Sequence, residues 1–161
     1  MSMVERGSGV IFMSFFIALM LMIFPLPDHL GWIRPQITML VLIYWVIYLP
    51  HRIGVATGWF VGLLMDVLVG GVLGEYALGM SLIAYFAYRL HARIRMFPMF
   101  QQMFSVLVLV GLAQVLVVWV NYLHGDPHKF YLQWLPILTT TLCWPIVYII
   151  LNSVSSNRSI E

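Results

Sequence analysis

The chain is a succession of long apolar runs separated by short polar interruptions, and the runs have the lengths of helices, not strands. A membrane-crossing helix needs roughly 20 apolar residues to cover about 30 Å of hydrocarbon. On that scale the pattern predicts six spans, at residues 10–26, 37–49, 53–70, 76–88, 100–122 and 131–151. Pro25 and Pro27 close the first, Arg34-Pro35 and Pro50-His51-Arg52 bracket the second, and Arg89 ends the fourth. The second is short: it reaches only about 20 Å as a helix, unless Trp32 and Ile33 extend it or the bilayer thins locally. A β-barrel would show short alternating segments, and these runs do not alternate. The expected fold class is an all-α integral membrane protein, one polytopic domain with six transmembrane helices in a compact bundle.

Composition supports that solvent assignment. Hydrophobic residues make up 62% of the 161 and charged residues 9%, against about 25% charged in soluble domains. Most of the chain therefore has no water-facing surface to cover. The net charge of +2 and the lack of a long basic run exclude a nucleic-acid partner. The single cysteine, Cys143, excludes an intrachain disulfide and reads as a small packed hydrophobe. No small-residue cleavage motif follows the first apolar run, so it reads as a retained span. With the N-terminus inside, cytoplasmic segments hold Arg6, Arg52, Arg89, Arg93, Arg95 and Arg158, and the opposite side only Arg34 and Lys129. That bias places both termini in the cytoplasm.

One carboxylate interrupts the third run, "GVATGWFVGLLMDVLVGG". Gly54, Gly58 and Gly62 recur every four residues; Asp66 is the next step and Gly70 the one after. Residues four apart share a helix face, and a small-xxx-small ridge lets two backbones approach closely. Asp66 should therefore point into protein, because a charge facing lipid costs several kcal/mol. Its candidate partners are a backbone amide, Gln114, the Thr139–Thr141 run or an arginine. A helix-packing or partner-interface role is expected for Gly54, Gly58, Gly62, Asp66 and Gly70, with ion coupling as the alternative for the carboxylate.

The remaining polar features read more simply. The loop "YRLHARIRMFPMF" alternates arginine with apolar residues, which makes Arg89, Arg93 and Arg95 a topology anchor or an anionic-lipid contact. "HGDPH", residues 124–128, has zinc-ligand residue types in a short loop, where solvated histidines are the ordinary case, so no metal is expected. In "TTTLCWP" the threonine hydroxyls could satisfy carbonyls freed by Pro145. No nucleophile–base pair, phosphate-cradling loop or ligand cluster is present, so neither an enzyme nor a cofactor is expected.

The run from Ile33 to Gly79 resembles the MreD family of rod-shape-determining proteins of Gram-negative type. The residues that carry the likeness are Arg34-Pro35, Tyr44-Trp45, Pro50, Gly54, Trp59, Gly62-Leu63, Asp66, Gly70, Leu73-Gly74 and Ala77-Leu78, with Trp144-Pro145 in the last helix. Where many members carry a serine and a proline in the turn after the aspartate, this chain has Val69 and Val72. The resemblance implies a non-enzymatic scaffold of the bacterial inner membrane, acting in peptidoglycan synthesis during lateral-wall elongation. It implies binding to MreC and, through it, connection to MreB filaments, RodA and its transpeptidase. Monomer and homodimer both fit. The family is also similar to the substrate-binding components of energy-coupling-factor vitamin transporters, which implies a second reading as a module that binds a lipid or small molecule.

Overall fold

The computed structural model describes residues 3–25, 27, 30–70, 72–124 and 132–156. These form six α-helices: α1 (Met3–Ile23), α2 (Ile37–Tyr48), α3 (Val55–Val69), α4 (Glu75–Ile94), α5 (Met99–Leu123) and α6 (Leu135–Ser156). Short 3-10 turns at Gly31–Ile33 and Leu132–Trp134 precede α2 and α6, and no strand occurs among the described residues. α5 and α6 are each long and apolar enough to cross a membrane.

Large apolar side chains cover the outside as well as the core, and several polar ones lie within. Phe12 and Phe16 on α1, Phe60 and Val67 on α3, Phe104 on α5, and Leu142 and Ile146 on α6 are exposed, while Gln36, Thr38, Asp66, Glu75, Gln114 and Thr140 are buried. Apolar residues on the outside, with Asp66, Glu75, Gln114 and Thr140 hydrogen-bonded within, suit a hydrocarbon surrounding, where unsatisfied polar groups are costly.

α2 is the axis of the bundle. It is apolar on every side, and a helix of that kind is stable only when surrounded. Residues 38–47 are buried without interruption, packed against α1, α4, α5 and α6. α2 thus meets neighbouring helices along its whole length.

Several helix limits differ from the sequence expectation, α6 among them, which runs from Leu135 to Ser156 and not from 131 to 151. α1 begins at Met3, not near Val10, and α4 runs to Ile94, not Tyr88. At α4, hydropathy marks where the run stops being apolar, whereas the helix continues through residues of good propensity such as Arg89, Leu90, Ala92 and Arg93. The basic segment expected as a loop is therefore largely the last turns of α4, and the connection to α5 is only residues 95–98.

Candidate functional site

α3 ends at Val69 because Gly70 adopts φ +75°, the left-handed conformation that closes many helices, and its amide bonds the Asp66 carbonyl. α4 then starts from Gly74, also left-handed at φ +101°. A glycine at that position has no side chain to cap the first amides of the new helix, which need a partner. Asp66 supplies it from the preceding helix. Its Oδ2 accepts from the Gly74 amide at 2.9 Å and the Ala77 amide at 3.3 Å, and its Oδ1 accepts from the Tyr76 amide at 2.8 Å. The carboxylate is 1% exposed and sits at the positive end of the α4 dipole, where negative charge is favoured.

The close approach behind this cap comes from two glycines. A Cβ on Gly62 would lie 2.6 Å from the Tyr76 carbonyl oxygen and just as close to the Ala77 backbone. One on Gly58 would lie 2.8 Å from the Met80 carbonyl oxygen. The face carrying Gly58, Gly62 and Asp66 is thus covered by α4 of the same chain. Gly54 and Gly70 do not take part in this contact: Gly54 precedes α3, Gly70 terminates it, and a Cβ on either would meet nothing within 4 Å. Spacing alone assigned them to the ridge, but a step of four has meaning only inside the helix.

Gln114 and the threonines, expected as partners of Asp66, belong to a separate node. Gln36 Nε2 donates to Gln114 Oε1 at 3.0 Å, Gln114 Nε2 donates to the Gln133 carbonyl at 3.0 Å, and the Gln36 amide donates to Thr140 Oγ1 at 2.8 Å. This joins the starts of α2 and α6 to the middle of α5. The threonines do not serve Pro145 as the sequence suggests. Thr141 Oγ1 donates to the Ile137 carbonyl and Thr139 Oγ1 to the Pro136 carbonyl, whereas the carbonyl deprived of its amide by Pro145 is that of Thr141. A further pair is formed by Asn121, whose Nδ2 donates to Glu75 Oε1 at 2.9 Å, tying the start of α4 to α5. The only signal for it is two polar residues in apolar surroundings 46 positions apart.

The other motif residues have local structural tasks. Arg34 Nη2 donates to the carbonyls of Leu21 at 2.8 Å, Phe24 at 3.1 Å, and Met22. It therefore closes the C-terminus of α1 with a cation, the favoured charge there. Pro35 leads into α2. Tyr44 is buried in α2 and stacks on Tyr48 with ring centroids 4.7 Å apart. Trp45 Nε1 donates to Ser14 Oγ at 2.8 Å, fastening α2 to α1. Pro50 lies in the turn before α3, Trp59 is exposed on α3, Trp144 is fully buried on α6, and Pro145 follows it inside the helix.

At the opposite end of α4, Arg89 lies over the Tyr85 ring at 5.8 Å and Arg95 over the Tyr48 ring at 5.5 Å. Arg93 is exposed. Of "HGDPH", His124 alone is described, its Nδ1 2.9 Å from the Val120 carbonyl oxygen; residues 125–128 lie outside the described residues.

Between α1, α2 and α6 runs a groove of about 530 Å³. It is lined by α1 residues from Gly9 to Leu21, by Ile37 and Val41 of α2, and by Val147, Ile150, Leu151 and Val154 of α6.

No solved structure matches this chain. It is 27% identical over 146 residues to the rod shape-determining protein MreD of Haemophilus influenzae, covering 88% of each chain. The family model described as rod shape-determining protein MreD matches residues 3–154. With nearly every residue of the six helices inside that match, the chain belongs to the MreD family of proteins that determine rod shape.

Proposed function

We propose that this chain is a non-enzymatic, six-span scaffold of the bacterial inner membrane, with both termini in the cytoplasm. In this role it binds MreC and, through it, joins the peptidoglycan synthase RodA, its transpeptidase and MreB filaments. Family membership makes rod-shape determination the process served. The observation that carries the scaffold reading is the occupancy of Asp66. Both oxygens of the carboxylate that ion coupling or catalysis would call on are taken by backbone amides. Its chemistry is spent on holding two helices together, which leaves an apolar outer surface for partner helices.

The α1–α2–α6 groove favours a second reading, a module that binds a lipid chain. Its volume is within the range of small-molecule sites, about 300–1,000 Å³, and its lining is almost wholly apolar. That lining suits an acyl chain better than a polar vitamin. Copurification in detergent with coexpressed MreC, with mass spectrometry for retained lipid, separates the two. The scaffold reading expects a stable complex with MreC. Failure to retain MreC, together with a stoichiometric lipid, would replace it with the second reading.

A further inference from the structure

The outer face of α4 carries a second device, at the end remote from Asp66. Tyr85, Arg89 and Arg93 recur every four residues on α4, and Phe97 lies in the turn that follows it. All four are exposed. The two guanidinium stems leave the helix about 6 Å apart along its axis. Beyond Arg93, Met96 is 88% exposed and Phe100 86% exposed, in the four-residue turn and the first turn of α5. Large apolar side chains at the tip of a short connection gain nothing from water. Arginines interleaved with them gain nothing from hydrocarbon. Both are satisfied at the headgroup boundary.

Charge identifies the occupant. Between Glu75 and Asp126 the sequence holds no carboxylate, so nothing on α4 beyond its first residue, or on α5, neutralises these cations. Arg95 is turned to the Tyr48 ring, and Arg89 to the Tyr85 ring. Arg93 has no ion-pair or ring partner among the described residues. A guanidinium presents a planar fork suited to phosphate oxygens, and its stem packs on apolar surface while the head stays polar.

We propose that Arg89 and Arg93 form a binding site for one anionic glycerophospholipid. Its phosphate sits between the two guanidinium groups, and its chains lie along Tyr85, Leu82 and Leu78 on the same helix face. The site rests on the membrane reading of the preceding section, and the experiment separates the two. The protein is reconstituted into vesicles of phosphatidylcholine, with and without phosphatidylglycerol, and the lipids it retains are quantified by native mass spectrometry. Wild type should retain phosphatidylglycerol in preference to phosphatidylcholine. R89Q/R93Q should lose about fivefold of that preference per arginine removed, with its melting in zwitterionic detergent unchanged. R6Q/R158Q, which removes equal charge elsewhere in the chain, should keep the preference. Equal retention of both lipids by wild type overturns the site, as does an equal loss in both double variants. An unchanged lipid preference in R89Q/R93Q, with loss of an acidic protein partner, would reassign the face to that protein. Failure of wild type to enter phosphatidylcholine vesicles at all would instead overturn the membrane reading.

Discussion

The contact between α3 and α4 and the contact between α1 and α6 are opposite solutions to helix association. At the first, glycines bring backbone against backbone and a carboxylate stitches the turn. At the second, the helices stand apart around a groove of about 530 Å³. Helices surrounded by lipid gain little from burying apolar surface, so close packing and hydrogen bonds decide which pairs are held firmly. The difference teaches where the molecule is fixed and where it is left receptive. Position 62 has no room for a methyl group, whereas the lining of the groove has room for a ligand.

Substitutions can break that contrast. The largest effect should come from Gly62→Leu, because the side chain would meet the Tyr76 and Ala77 backbone, which cannot step aside. A loss above about 3 kcal/mol is expected, read as failure to fold or a collapsed melting temperature in detergent. A wild-type melting curve would show that α3 and α4 are not in register as described. Asp66→Ala comes next, at about 3 kcal/mol, since three amides lose a charged acceptor. Asp66→Asn keeps one acceptor oxygen and turns a donor toward the other amides, so it should fall between alanine and wild type. If Asn behaved as wild type, one of the two carboxylate oxygens would be dispensable and the cap would be simpler than the geometry indicates.

Gln114→Ala tests the node that joins α5 to α2 and α6. It removes two hydrogen bonds and leaves Gln36 Nε2 without its acceptor, for a loss of about 2 kcal/mol in the same melting experiment. The smallest effect is expected at the groove. Ile150→Phe enlarges a half-exposed lining residue and should change stability by no more than about 0.5 kcal/mol. A large destabilisation there would mean that α1 and α6 close on each other across the groove.

Much of the α3–α4 contact is legible in the sequence, and the reason is local. The glycines four apart and the aspartate in step with them lie on one helix, so a single periodicity reveals which face is small and inward. The covering helix is less obvious, because a glycine ridge suits a partner chain as well as a neighbour. Only the positions of the Ala77 and Met80 backbones decide it. The Gln36–Gln114–Thr140 node was out of reach for the opposite reason. Its members lie 78 and 104 residues apart, and Gln36 precedes its apolar run, where polarity attracts no notice. Arg34 illustrates a third case. As a charge in a short connection it reads as topology, and its task as the closing cation of α1 depends on the chain folding back over ten to thirteen residues.

The locality of the Asp66 cap has a consequence for biogenesis. Every amide that donates to this carboxylate lies between eight and eleven residues downstream. If the chain spans the bilayer as proposed, the charge can be sheltered as soon as the first turn of α4 has been synthesised, before α5 and α6 exist. On that proposal the α3–α4 hairpin would form as a finished pair, already locked, around which the later helices are laid down.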